Sequence, residues 1–231
     1  VSLLTAFPYA LKSFMDKIFK PGPVFRELVP VLSLASLPVL FAYYVYLYDF
    51  AMLLMSALLF SALSSRNWKL YLPLFAIAVL NKETAVLFAV FSFAYFYVHD
   101  NDKTKHIKLF AIQAAIFIII KIALYFIYAD NPGSVMEYYF RENLLELLHV
   151  ISFEGFAALI VLFVIFFHSW DKKPDFLRYS FIIGGMIFVL TVFFGQFSEV
   201  RVYYEFYPAA SLLAADSLSR IAGYQQQVNP V

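Results

Sequence analysis

Residues 70–98 read LYLPLFAIAVLNKETAVLFAVFSFAYFYV, two apolar runs, Leu70–Leu80 and Ala85–Val98, split by the polar tetrad Asn81-Lys82-Glu83-Thr84. As a helix the first run rises only about 16 Å, half of a hydrocarbon core of roughly 30 Å. The stretch is therefore one long helix with two charges at its middle, or a hairpin with the tetrad at its tip. Charge asymmetry chooses between them, because Lys and Arg concentrate in cytoplasmic loops.

Working outward, further apolar runs fall at Leu28–Leu47, Phe50–Ser64, Ile107–Tyr128, Val150–Trp170, Leu177–Phe197 and Val202–Ala222. The basic segments are Lys12 to Arg26, Arg66 with Lys69, Lys103 to Lys108, and Lys172 to Arg178. They alternate with acidic or neutral connections along the whole chain only if 70–98 is a hairpin. The sequence thus predicts an all-α, polytopic membrane protein of about eight transmembrane segments, some short or broken, with both ends cytoplasmic and the tetrad outside. Residues 1–27 read as an interfacial helix or the tail of a membrane helix, 28–222 as one transmembrane domain, and 223–231 as a polar, frayed tail. Turn residues Asn131-Pro132-Gly133 precede an amphipathic stretch through Leu148, expected in the outer interface.

Composition agrees. Of 231 residues, 63% are hydrophobic and 14% charged, with mean hydropathy +0.77. A water-soluble domain carries about 45–50% apolar residues and about 25% charged ones. A net charge of +1 without a basic stripe argues against nucleic acid as a partner. With no cysteine, disulfides, thiolate metal sites and cysteine nucleophiles are excluded. The histidines show no His-x-x-x-His spacing, with His99 and His106 placed in a cytoplasmic loop, so no metal centre is expected. Hard divalent ions take carboxylate oxygens, which leaves Asp49 and Glu83 as the pair that would hold a divalent cation.

Charges inside membrane spans are costly, and here they gather in the outer half. Asp49 follows the first run, Lys82 and Glu83 form the hairpin tip, Lys121 lies about 10 Å below its helix end, and Glu154 lies about one turn inside the next run. Glu199, Arg201 and Glu205 open the last run. Each also has a structural explanation: Lys121 pairing with Glu154, Arg201 pairing with Glu205 one turn on, Asp49 capping a helix that starts at Phe50, and Glu83 acting as an early-turn acid. Lys82 is the hardest to explain this way, since a lysine submerged in the outer leaflet needs water, a partner or an anionic ligand.

Tyr48-Asp49, then Leu80-Asn81-Lys82-Glu83-Thr84-Ala85, then Glu199 to Pro208 in a Glu-x-Arg-x-x-x-Glu-x-x-Pro pattern resemble a group of bacterial polytopic membrane proteins related to the glycosyltransferase C superfamily. The resemblance covers Leu28 to Pro208. It implies a bacterial inner-membrane glycosyltransferase that takes a polyprenyl-phosphate-linked sugar on the outer face. Asp49 or Glu83 would then act as general base, and Lys82 and Arg201 would bind the phosphate. Glu199, Glu205, Lys121 and Glu154 would support them. The sequence departs from that superfamily in one respect: Asp49 stands alone where the superfamily often has paired acids. Two alternatives follow: a non-catalytic membrane subunit packed against other membrane subunits, and a secondary transporter with helices broken at Pro30, Pro38, Pro73 and Pro208.

Overall fold

The computed structural model describes residues 2–40, 47–131, 138–150, 153–196, 199–224 and 226–229. The protein is all-α. Among the described residues ten α-helices follow in order: α1 (Ser2–Ile18), α2 (Pro23–Leu40), α3 (Leu47–Ser64), α4 (Trp68–Asn81), α5 (Leu87–His99), α6 (Lys103–Ile127), α7 (Phe140–Val150), α8 (Phe153–Phe167), α9 (Asp175–Phe194) and α10 (Tyr207–Ile221). Two of them, α6 and α9, are long and apolar enough to cross a membrane; α3, α4 and α5 are shorter apolar helices.

Residues 70–98 form a hairpin. Helix α4 starts where the Asn67 side chain accepts the Leu70 N–H and ends where Lys82 turns extended, at φ −155° and ψ 132°. A 3-10 turn, Glu83–Val86, leads into α5, which runs back so that Phe96 meets Trp68 with ring centroids 5.2 Å apart. Pro73 sits inside α4 and the helix continues through it. Pro208 sits in the first turn of α10, where no intrahelical N–H is lost.

The core is aromatic, built by α1, α3, α5 and α9. Phe60 lies at its centre, stacked on Phe14 at 5.1 Å and edge-on to Phe88 at 4.9 Å and Phe91 at 5.6 Å. Phe176 closes it against Phe91 at 5.1 Å. Edge-to-face geometry sets each ring's positive edge against a neighbour's negative face, which specifies mutual orientation beyond simple burial.

Three further segments find partners in the bundle. Helix α1 sets one face into the bundle: Phe7, Leu11, Phe14, Met15 and Ile18 are all buried, and Ser13 meets Ser61 of α3 at 3.0 Å. Within the tail expected to be frayed, Gln227–Val228 pairs antiparallel with Phe19–Lys20. The Asn229 side chain also donates to the Asp16 and Phe19 carbonyls, satisfying oxygens at the end of α1 that the helix itself leaves open. Finally, α7 packs on the end of α9. Buried Asn143 donates to the carbonyls of Thr191 (2.9 Å), Val192 (3.1 Å) and Gly195 (2.7 Å). An asparagine from one helix thus caps another.

The charged residues divide between the two ends of the bundle. At one end, called here the Lys82 end, lie the starts of α3, α5 and α10 and the finish of α4. At the other, Asp100 takes Arg66 at 2.9 Å and the buried His106 at 2.8 Å, and Asp216 takes Arg220 at 2.9 Å and Lys173 at 3.6 Å. His99 and His106 therefore belong to the last turn of α5 and the first turn of α6, not to a loop.

Candidate functional site

The Lys82 end assembles from short, irregular backbone. Helix α3 begins at Leu47, so Asp49 sits inside its first turn and does not cap a helix starting at Phe50. The second contributor is the extended Lys82 and the 3-10 turn behind it. The third is another 3-10 turn, Val200–Tyr203, between α9 and α10. Helix α6 adds Lys121 from the side. Chains tighten into 3-10 geometry at helix junctions; here one such turn directly follows Lys82 and the other carries Arg201 into the same region.

Glycine and serine hold the third segment in place. A Cβ on Gly184 of α9 would meet Phe206 Cδ1 at 2.9 Å, so only a bare backbone lets that ring lie down beside Glu205. From the other side, Ser56 Oγ of α3 donates to the Tyr204 carbonyl at 3.1 Å. Glu205 is wedged between these contacts and is fully buried.

Four ion pairs result. Lys82 Nζ lies 3.0 Å from Glu205 Oε1, which also accepts from the Thr84 hydroxyl. Arg201 reaches Glu199 Oε2 with Nη2 at 2.9 Å and Asp49 Oδ2 with Nη1 at 3.6 Å; the same Nη1 donates to the Tyr48 hydroxyl at 3.1 Å. Lys121 Nζ meets Glu83 Oε2 at 2.6 Å. Asn81 ties the hairpin to α3 by donating to the Tyr48 carbonyl at 3.0 Å.

Seven of the eight residues singled out from the sequence therefore converge at one end: Asp49, Lys82, Glu83, Lys121, Glu199, Arg201 and Glu205. Their pairing differs from expectation. Arg201 does not take Glu205 one turn on, because a 3-10 turn and a break, not an α-helix, connect them. Lys121 takes Glu83, and the side chain of Glu154 in α8 lies outside the described residues. Asp49 and Glu83 are engaged by different cations, and among the described residues no group of three or more His, Cys, Asp or Glu is placed to hold a metal ion.

Sequence reasoning missed Tyr48, Asn81 and Thr84 as members of the network. It also missed Asp216 at the opposite end, although an acid within the apolar run 202–222 was a readable signal of a buried partner.

The four pairs fall into two classes. Asp49 and Glu205 have no exposed side-chain surface, whereas 69% of the Glu83 side chain and 25% of Glu199 are exposed. Removing one partner from a buried pair is costly, since the other charge stays behind in a dry setting. Exposed pairs exchange with water and ions at little cost. Compared with known proteins, the chain matches no family model, no curated protein and no solved structure.

Proposed function

We propose that the chain is a polytopic membrane protein of the bacterial inner membrane and a glycosyltransferase-like enzyme that takes a polyprenyl-phosphate-linked sugar at its Lys82 end, on the outer face. The membrane reading is supported by apolar side chains that point away from the bundle. Ile118, Ile119 and Ile122 on α6, Phe163 and Val164 on α8, and Phe188 and Val189 on α9 are all exposed. Soluble monomers rarely leave apolar surface of that extent open, while lipid covers it without cost.

The observation that carries the enzymatic reading is the convergence of three cations, Lys82, Lys121 and Arg201, with an accessible carboxylate, Glu83, at one end of the bundle. Glycosyl transfer from a phosphate-linked donor needs both. The acceptor hydroxyl gives its proton to a base as its oxygen attacks the anomeric carbon. The bond from that carbon to the phosphate oxygen breaks, and the departing polyprenyl phosphate carries the electron pair and the added charge. Fixed cations in a water-poor site are worth most where that charge grows. Of the two acids considered as base, Glu83 suits the role, because Asp49 is fully buried beneath Arg201.

The test is release of polyprenyl phosphate from a polyprenyl-phosphate-linked hexose by the full chain in lipid nanodiscs. Glu83→Gln is expected to abolish release while the thermal midpoint stays within about 2 °C of wild type, as for other surface substitutions. A wild-type protein that releases nothing would refute the reading. A second reading, a non-catalytic membrane subunit, is favoured by one observation: each of the three cations already has a carboxylate within 3.6 Å. Under it, donor is untouched and the same surface binds a neighbouring subunit.

A further inference from the structure

We infer that the Lys82 end is an anion site occupied by the protein's own carboxylates, with Glu83 and Glu199 as exchangeable stand-ins for a phosphate headgroup and Lys121 and Arg201 as the cations that receive it. The inference rests on the membrane-enzyme reading above, adds Lys121 to the headgroup ligands, and gives Lys82 a different task.

Burial separates the pairs by what each can do. Lys82 is committed to Glu205, whose carboxyl is fully buried and takes the Thr84 hydroxyl as well. An incoming phosphate would have to strand that carboxylate without a cation in the interior, so this pair stays closed. The same holds for Arg201 and Asp49, again with a fully buried acid. These two pairs anchor the hairpin tip and the turn at 200–203 onto the bundle.

The other two pairs differ in having a carboxylate with exposed surface, 69% of Glu83 and 25% of Glu199, while Arg201 itself keeps 13%. Lys121 keeps 37% of its side chain exposed and meets Glu83 through a single contact at 2.6 Å. The Nη2 edge of Arg201 meets Glu199 at 2.9 Å, while Asp49 and the Tyr48 hydroxyl lie at Nη1. Arginine presents a fork, so Nη2 can change partner while Nη1 keeps its own. Lysine carries its charge on a flexible stem and follows a ligand over several ångströms. A glutamate released here swings into solvent and is hydrated at once. The donor's phosphodiester matches the carboxylate in charge and competes for the cations with its own acceptor oxygens, and a monoester such as farnesyl phosphate brings more charge still.

Exchange also arms the base. While Glu83 is paired with Lys121, its oxygen is occupied by the ammonium. When the headgroup takes Lys121, Glu83 is released beside the bound donor and its oxygen is open to an acceptor hydroxyl. Headgroup binding and base activation become one event, and an empty site holds no active base.

The experiment measures binding of farnesyl phosphate and of inorganic phosphate to the full chain in nanodiscs of zwitterionic lipid. Wild type is compared with Glu83→Gln, Glu199→Gln and Lys121→Gln, with thermal midpoints as the folding control. Each glutamate variant loses a competitor and is expected to bind farnesyl phosphate about three- to tenfold more tightly; Lys121→Gln is expected to bind about tenfold more weakly. In donor-release assays Glu83→Gln should combine this tighter binding with lost turnover, a split that a merely structural glutamate would not give. Inorganic phosphate matching farnesyl phosphate in affinity and variant pattern would support exchange with the headgroup alone as ligand. Wild-type binding with both glutamate variants within twofold of it would overturn the exchange and leave the parent reading standing. Absence of binding in wild type and all variants would overturn both.

Discussion

Lys82→Met tests the division into anchoring and exchangeable pairs most directly. The substitution keeps the length of the side chain and removes its charge. It leaves the Glu205 carboxyl fully buried, with the Thr84 hydroxyl as its other hydrogen-bonding partner and Oε2 lacking a hydrogen bond among the described residues. Stranding a buried charge in this way costs about 3–5 kcal/mol. Lys82 itself keeps 17% of its side chain exposed, so some water reaches the vacated position and the lower half of that range applies. At about 2–4 °C per kcal/mol for a chain of this size, the thermal midpoint should fall by roughly 6–16 °C. The double variant Lys82→Met with Glu205→Gln should recover most of the loss, because a neutral amide keeps the Thr84 contact and no ion is left in the interior. Thermal scanning in detergent, followed through Trp68 and Trp170, gives both numbers. A single variant within about 2 °C of wild type, or a double variant no better than the single, would show that the pair carries no anchoring role.

Three further outcomes follow from other parts of the structure. Gly184→Ala should destabilise by about 1–3 kcal/mol, since its Cβ collides with Phe206, whose ring is held at 5.1 Å from Phe181; Gly185→Ala, with nothing within 4 Å, should be neutral or slightly stabilising, and a pair of melting curves compares them. Asn143→Ala leaves the carbonyls ending α9 without their donor and should cost about 1–3 kcal/mol, with faster hydrogen exchange confined to 138–150 and the end of α9; equal exchange across the chain would contradict the capping assignment. Burial holds the Lys173 ammonium below the ordinary lysine value of 10.5, opposed in part by Asp216. The unfolded chain therefore binds that proton more tightly, and this group's contribution to stability rises with pH in the alkaline range below 10.5. The slope of midpoint against pH there should be smaller in Lys173→Met than in wild type.

The helical framework was legible because it is written in local terms. Apolar runs bounded by charged loops are short-range signals, and the hairpin at 70–98 followed from a run too short for a membrane set beside alternating charge. The helices begin or end within a few residues of those runs. What local terms cannot express is which face of a helix finds a partner. Nothing in Ser2–Ile18 names the partner of its apolar stripe, which is set by the aromatic cluster around Phe60. The tail shows the same limit. Gln227-Val228-Asn229 looks like a frayed polar end until the Phe19–Lys20 edge and the open carbonyls of α1 are placed next to it.

The candidate site was legible as a set and illegible as a network, and the reason is sequence distance. Spacing rules detect partners three or four residues apart. The pairs that form here join residues 82 with 205, 121 with 83, and 49 with 201. The one local pair that spacing favours, Arg201 with Glu205, requires α-helix between them; the 3-10 turn and the break at 204–206 rotate the two side chains apart and let each cross-link a different part of the bundle. That rearrangement assigns roles the residue types alone could not. Asp49 and Glu83 are both acids next to a cation, but one is sealed beneath Arg201 and the other stands open on Lys121. On the proposed reading the open acid is the one that meets a substrate, while buried Glu205 holds the hairpin tip through Lys82 and buried Asp49 holds the 200–203 turn through Arg201. If Glu83→Gln binds farnesyl phosphate more tightly yet releases no polyprenyl phosphate, while Lys82→Met loses thermal stability, burial rather than residue type has set the division of labour at this end of the protein.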